Sequence, residues 1–376
     1  MTKLFIITGE YSGNMHGAEV AKQLKISNPD IQIEGIGADA MESEGVKLFA
    51  NHAKMGAVGL SPKILKEHIE LGKNVVNYIL NDYKPDFVLL IDYGGFNMKI
   101  AKFLKEKGFS GKIFYYIPPQ VWASRKYRIK AIKKYIDKVF CIFPFEVDMY
   151  KEFGIDVHYC GHPLISQLPP PTDKKTFFEK HGLNPAKPLI SVFPGSRKFE
   201  LAFLMKLFIK SAQTLKRKHP DLQVCFSQAP NISDELYYKY FEGCDFKVIK
   251  GENHSLLSTS DALILASGTV ALEAALYNTP MIISYKGPWF FYLVYRLVRC
   301  LDKVSLPNII CNKIIVPELI QHLATHDNIV FETEKLLYDK QHRASQIAEL
   351  SEVNNKLSSQ NSSLEVAKVI LKELTN

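Results

Sequence analysis

Short apolar runs, each closed by a turn and followed by residues at helical spacing, recur along this chain, and no other feature limits its fold as much. Residues 4–8 (LFIIT) end at Gly9 and read as a buried parallel strand, because a strand covered on both faces shows no polar side. A helix over 17–27, a strand at 31–36, a helix over 68–81, a central strand at 87–91 (FVLLI) and a helix over 98–107 follow. Two more strands read at 112–117 and 138–143. Alternation of this kind builds βαβ units, and βαβ units build an α/β doubly wound parallel sheet.

The pattern breaks once. Residues 167–188 hold Pro169-Pro170-Pro171, then Thr172-Asp173-Lys174-Lys175, then Pro185 and Pro188. Three prolines in a row can neither continue a helix nor donate to a central ladder, so this polar stretch reads as a linker. Beyond it the alternation resumes, with strands at 189–193, 223–227, 246–249, 262–266 and 281–285 and helices ending near His219 and Tyr277. A last helix begins at the Ser362 cap and carries Leu364, Ala367, Leu371 and Leu374 at helical spacing. The organisation expected is a first Rossmann-like domain over 1–166, a linker over 167–187 and a second over 188–376 that includes the terminal helix. A chain of 376 residues has room for two or three domains at roughly 100–200 residues each.

Composition then removes several classes. Hydrophobic residues at 47% and charged residues at 23% fit a soluble globular protein and argue against long disordered regions. The net charge of +8 suits a phosphorylated small molecule, an anionic membrane surface or nucleic acid without choosing among them. Cys141, Cys160, Cys225, Cys244, Cys300 and Cys311 form no CxxC pair, which argues against a zinc site or disulfide framework and fits a reducing cytoplasm. The opening MTKLFIITGEYSG lacks the apolar h-region of about 7–15 residues that a secretory signal needs. The most apolar long stretch, 287–301, is interrupted by Arg296 and Arg299 and falls short of the ~20 residues that cross a bilayer.

Ligands of doubly wound sheets sit at the carboxyl ends of the strands, so the turns there carry the chemistry. After 189–193 comes Pro194-Gly195-Ser196-Arg197, then Glu200. Gly195 allows close approach, a helix start offers free N–H groups and Arg197 adds fixed charge, which together suit a diphosphate. Alone, this motif reads equally well as a capped turn with a surface arginine. After 262–266 comes Ser267-Gly268-Thr269, with Glu273 one turn on, where a carboxylate can accept from ribose hydroxyls. Two such turns in one domain favour a nucleoside diphosphate. There is no Walker A pattern and no Asp-x-Asp, and residues 35–40 (GIGADA) lack the third glycine of the dinucleotide fingerprint. The ligand expected is therefore a sugar nucleotide bound without metal or other cofactor, its diphosphate neutralised by Arg197 and backbone amides.

In the first domain Gly9-Glu10-Tyr11-Ser12-Gly13 follows the first strand, and Asp92 follows the central one in IDYGGFN. A carboxylate at a strand's carboxyl end is placed for general-base work, the plainer reading being a helix cap. IPPQVWA comes next, with Arg125, Lys126 and Arg128 behind it, and GHP closes the domain. His16 and His162 read as hydrogen-bonded structural residues.

GEYSGNMHGA, IDYGGFN, PPQVWASRKYR, FPFE, GHPL, FPGSRKFE, ASGTVALE, Tyr285-Lys286, SLPN at 305–308 and VPELIQ at 316–321 run in this order from Gly9 to Gln321. In that order the chain resembles the lipid-A-disaccharide synthase family of inverting GT-B glycosyltransferases. The resemblance implies two Rossmann-like domains facing each other across a cleft. It also implies metal-independent transfer of a diacylated glucosamine from UDP onto a diacylglucosamine 1-phosphate, forming a β-1′,6 link and releasing UDP. The partners implied are those two lipids, the inner-membrane surface of a Gram-negative-type bacterium and a second copy of the chain, with no nucleic acid. The localisation implied is cytoplasmic, peripheral on the inner face of that membrane.

Carried onto this sequence, the resemblance favours Asp92 as base with Glu10 as its rival, and Arg197 at the leaving diphosphate. It assigns UDP to Ser196, Arg197, Ser267, Gly268, Thr269, Glu273 and Asn308, and the acceptor side to Ser12, Gly13, Asn14, Gln120 and Trp122. Leu60, Ile64 and Leu65, beside basic residues and a helix start at Pro62, are the expected membrane contact, with the basic run 125–138 facing anionic head groups. Residues 289–292 with Arg296 and Arg299 are a second candidate. The chain departs from the family pattern at Ala38, Asp39, Ala40, Asn14, Gly59, Pro118 and Ser124, all in the first domain. Two other readings stay open: a different enzyme acting on a UDP-sugar, with another acceptor or as a 2-epimerase, and a non-catalytic relative. Retention of Glu10, Asp92 and Arg197 weighs against the second.

Overall fold

Two all-parallel sheets organise the chain in a computed structural model, which describes residues 2–52, 62–123, 126–241, 243–290, 301–357 and 360–375. The first contains β1 (Lys3–Ile7), β2 (Gln32–Gly37), β3 (Lys47–Asn51), β4 (Phe87–Ile91), β5 (Lys112–Tyr116), β6 (Lys138–Cys141) and β7 (Val157–Tyr159), in the order β3-β2-β1-β4-β5-β6-β7. The second contains β8 (Leu189–Phe193), β9 (Gln223–Gln228), β10 (Lys247–Lys250), β11 (Ala262–Ala266), β12 (Met281–Tyr285) and β13 (Glu318–Ile320), in the order β10-β9-β8-β11-β12-β13. Each sheet therefore reverses its winding once, between β1 and β4 and between β8 and β11.

The central strands are those with the plainest sequence signal. β4, β8, β11 and β12 span the residues read as strands, and all but Tyr285 are buried. β3, β7 and β13 carry no such signal. They lie at sheet edges, two of them three residues long, where half of the surroundings are solvent and no continuous apolar run is needed. The helix after β1 begins at Tyr11, six residues before the periodic pattern starts, because Gly13 and Gly17 turn toward the sheet instead of an apolar side chain. A Cβ at Gly17 would lie 2.8 Å from the Met41 sulfur and 3.2 Å from Thr8 Cγ2.

The chain divides into two compact units, Met1–Ser166 with Ser358–Asn376, and Gln167–Leu357. This corrects the placement of the terminal helix, which was expected with the second domain. Helix Ser362–Thr375 packs against helix Tyr11–Ser27 in the first unit. Its buried face is Ser363, Val366, Ala367 and Ile370, rotated from the leucines that the spacing singled out. The Tyr116 hydroxyl and Ser362 Oγ share a buried hydrogen bond of 2.6 Å, and Glu373 pairs with Lys112 and Lys138. An amphipathic pattern states that one face is covered and says nothing about which surface covers it.

Ile370 is fully buried, so Ile370→Ala is expected to cost about 2–5 kcal/mol of stability. Hydrogen exchange should accelerate in β1–β7 and stay unchanged in β8–β13. Acceleration confined to the second sheet would contradict the placement of this helix.

Candidate active site

In the first sheet β1 and β4 are neighbours with Ile7 beside Leu90, so the chain leaves them side by side through Gly9-Glu10 and Asp92-Tyr93. Gly9 permits that approach, since a Cβ there would sit 2.2 Å from the Tyr93 ring. Asp92, Tyr93 and Ile117 hold φ of 48°, 50° and 56°, a left-handed conformation that costs side-chain-bearing residues on the order of 1–3 kcal/mol each. Hydrogen bonds hold it in place. The Asp92 N–H donates to the Tyr116 carbonyl at 3.0 Å and the Ile117 N–H to the Phe140 carbonyl at 3.1 Å. The Asp92 carbonyl accepts from Asn97 Nδ2 and from the Tyr115 hydroxyl, both at 2.8 Å.

Asp92 and Glu10 now differ in environment. Burial pushes the Asp92 carboxyl above the usual range and the nearby Glu10 charge adds to the rise, while the Tyr93 N–H opposes it. Glu10 is exposed at the start of its helix and its side chain caps nothing.

The acceptor-side residues split. Ser12 and Gln120 are exposed, and Gly13 is buried with its Cβ position 3.4 Å from Thr8 Cβ. Asn14 is buried, and its Oδ1 accepts from the Ala38 N–H at 2.8 Å and the Met41 N–H at 3.4 Å, capping the short helix Asp39–Ser43. Trp122 is corrected to an internal role. Its Nε1 donates to Glu146 Oε1 at 2.8 Å and its ring meets Phe143 and Phe145 edge-on. Glu146 Oε2 accepts from the Ile142 and Phe143 N–H groups at 3.2 and 3.0 Å. Glu146 thus ties the PPQVWA loop to the end of β6, and burial pushes its carboxyl up to about 7. Only its membership of FPFE marked it in the sequence. His16 and His162 are held neutral, burial lowering both to about 4, and the Leu164 N–H donates to His162 Nδ1.

In the second sheet Phe193 of β8 pairs with Leu265 of β11, which brings Gly195-Ser196-Arg197 beside Ser267-Gly268-Thr269. The first turn is not open in the way expected. Buried Glu200 fills it, with Oε2 accepting from the Ser196 N–H at 2.9 Å and the Arg197 N–H at 3.1 Å. The Arg197 guanidinium donates to Glu200 Oε1 at 3.3 Å and keeps 70% of its side chain exposed. Two amides assigned to the diphosphate are therefore taken by the chain itself. Gly268 and Thr269 are exposed and Ser267 is half-buried. Glu273 is half-buried, and burial raises its carboxyl while His254, 3.9 Å away, lowers it.

Asn308 is corrected outright. It is fully buried with both ends committed: Oδ1 accepts from the Ile315 and Val316 N–H groups, and Nδ2 donates to the Val316 carbonyl and Glu318 Oε1. Glu318 also accepts from the Val304 and Ser305 N–H groups and the Ser305 hydroxyl. SLPN and VPE form one internal clasp and leave Asn308 no donor for a nucleotide.

Of the expected membrane contact, Leu60 and the Ile64 side chain lie outside the described residues, as do Gly59, Ser124, Arg125 and residues 291–300. Helix Pro62–Tyr78 starts where expected, with Leu65 58% and Ile69 50% exposed. Among the described residues no helix is long and apolar enough to cross a membrane.

Residues 4–373 match the family model described as lipid-A-disaccharide synthetase. The lipid-A-disaccharide synthase of Geobacter sulfurreducens is 33% identical over 99% of this chain and 97% of its own length. That of Coxiella burnetii is 34% identical over 98% and 97%. Among solved structures, the UDP-GlcNAc 2-epimerase from Neisseria meningitidis bound to UDP-GlcNAc superposes with a TM-score of 0.67 at 14% identity, covering 99% of this chain and all of the other. CalG4, the calicheamicin glycosyltransferase, gives 0.60 at 12% identity over 100% and 98%. At such identities the likeness is one of fold, the GT-B fold.

Trp122→Phe keeps the ring and removes the donor, which is expected to cost about 1–3 kcal/mol by leaving Glu146 short of a partner. The cost should depend on pH. A carboxyl raised to about 7 in the folded chain stabilises fully below its unfolded value and loses that contribution as pH rises through 7. Losing the indole donor raises it further, so melting should show a larger deficit at pH 8 than at pH 5. An equal deficit at both would show that Glu146 does not titrate in this range.

Proposed function

The chain belongs to the lipid-A-disaccharide synthetase family, and from that membership we propose its reaction: inverting transfer of 2,3-diacylglucosamine from UDP-2,3-diacylglucosamine to 2,3-diacylglucosamine 1-phosphate, giving the β-1′,6-linked disaccharide 1-phosphate and UDP. The observation that carries this is a match along nearly the whole chain, joined to Asp92 and Arg197 at the winding reversals of the two sheets. It is a glycosyltransferase.

The acceptor's primary hydroxyl is a far weaker acid than water at neutral pH can ionise, so it must lose its proton as it attacks the anomeric carbon. Asp92 is the proposed base. Burial and Glu10 raise its proton affinity above that of an exposed carboxylate, and the pinned backbone fixes where it stands. As the bond to UDP breaks, charge grows on the diphosphate, and the Arg197 guanidinium stabilises that charge more than the ground state. Ser267, Gly268 and Thr269 offer further donors, and Glu273 is the acceptor proposed for ribose hydroxyls. Both lipids come from a bilayer surface. Helix Pro62–Tyr78, with exposed Leu65 and Ile69, is the proposed contact, and the exposed Lys126, Lys130, Lys133 and Lys134 of the basic run are proposed to meet anionic head groups. Each close cation contributes about 1 kcal/mol of attraction to anionic lipid.

Mass spectrometry of reactions with the two acylated sugars, run beside UDP-GlcNAc alone, tests the reading. Disaccharide formation is expected, and turnover of UDP-GlcNAc alone would favour the epimerase instead. Asp92→Asn should abolish turnover and leave UDP binding intact. Glu10→Gln should move the acidic limb of the pH–rate profile to lower pH, because the Glu10 charge raises Asp92. Arg197→Ala should lower kcat by on the order of 10²–10³ and raise KM far less; an unchanged kcat excludes its assignment. Ser at Leu60, Ile64 and Leu65 together should release the protein from anionic liposomes on sedimentation, and continued sedimentation would place the contact elsewhere.

A further inference from the structure

Glu200 is the third residue of helix Lys198–Lys218, in its first turn, where its side chain accepts from the N–H of the Arg197 cap, and 3% of its surface is exposed. A buried carboxylate is costly unless donors surround it, and here the donors are the Ser196 and Arg197 N–H groups and the Arg197 guanidinium. Gly195, at φ 107°, is shaped to it: a Cβ there would lie 2.3 Å from Glu200 Oε2 and 2.8 Å from Glu200 Cβ. The stem of Glu200 as well as its tip is packed against the turn. A negative charge beside a diphosphate repels it, so a carboxylate built into this turn opposes binding unless it does something for the cation. One guanidinium donor is engaged at 3.3 Å while most of the side chain stays exposed, which leaves the other donors for a ligand and removes rotamers that point elsewhere.

We propose that Glu200 is a positioning residue for Arg197: it closes the Gly195-Ser196-Arg197 turn upon itself and aims the guanidinium, so the terminal phosphate of a nucleoside diphosphate is met by that side chain and not by the Ser196 and Arg197 amides. The inference rests on the reading of Arg197 as the diphosphate contact. The rival arrangement is a plug, in which Glu200 fills an amide nest and swings out when phosphate arrives.

Calorimetric titration with UDP separates these without any acyl substrate. Free UDP carries the extra terminal charge of the leaving group, so it reports the contact directly, and UDP-GlcNAc is the less charged control. Arg197→Ala should weaken UDP by about tenfold or more and UDP-GlcNAc by less. Glu200→Gln retains an acceptor for both amides and loses the charge that orients Arg197, and should weaken UDP by about fivefold; added to Arg197→Ala it should change nothing beyond about twofold, because interacting residues are non-additive. Glu200→Ala should weaken UDP as well. Tighter UDP binding by Glu200→Ala identifies a plug and overturns the proposal, as does full additivity in the double variant or unaltered binding by Glu200→Gln. If Arg197→Ala binds UDP as the parent does, the diphosphate assignment itself has failed. Thermal melting of every variant checks folding, and Glu200→Gln carries the test if Glu200→Ala does not fold.

Discussion

A parallel sheet obliges the chain to leave every strand at the same end, and where the winding reverses, the loops of two neighbouring strands diverge and no crossover covers the gap between them. The chemistry depends on that constraint. It occurs between β1 and β4, where Glu10 and Asp92 leave side by side, and between β8 and β11, where Arg197 comes beside Ser267-Gly268-Thr269. Gly9 and the left-handed Asp92 and Tyr93 are local costs of bringing two exits so close.

One device recurs among these exits. Glu146, Glu200 and Glu318 each accept two backbone N–H groups from a neighbouring turn and at least one side-chain donor, Trp122, Arg197 and Asn308 respectively. Each belongs to a family segment: FPFE, FPGSRKFE and VPELIQ. A carboxylate that gathers amides fixes a loop without lengthening an element, and it leaves the residues beside it, such as Arg197, exposed and oriented. All three donors are ligand contacts in the family resemblance, and the geometry gives Trp122 and Asn308 to the protein's own framework while leaving Arg197 exposed. Asp92 contrasts with all three. It has one opposing N–H, partial burial and a like charge nearby, which are the conditions that favour proton uptake over structural service.

The sequence by itself determined the two doubly wound sheets, the break near the proline run, the central strands, the turns that would carry chemistry and the family those turns belong to. Continuous apolar runs and glycines at strand ends leave few alternatives, since they follow from burial on both faces and from close approach of backbone. The tertiary structure alone decided the rest. Edge strands β3, β7 and β13 are made by their neighbours and not by their own apolarity. The terminal helix is amphipathic in the sequence, but the surface it covers is chosen by the fit of Val366 and Ile370 on the first unit. Whether a conserved-looking polar side chain faces a ligand or a backbone amide turns on hydrogen-bond partners that are distant in sequence or separated by a turn. That is why Asn308 and Trp122 read as site residues in one dimension and as clasps in three, while Asp92 kept a carboxyl with room for a proton.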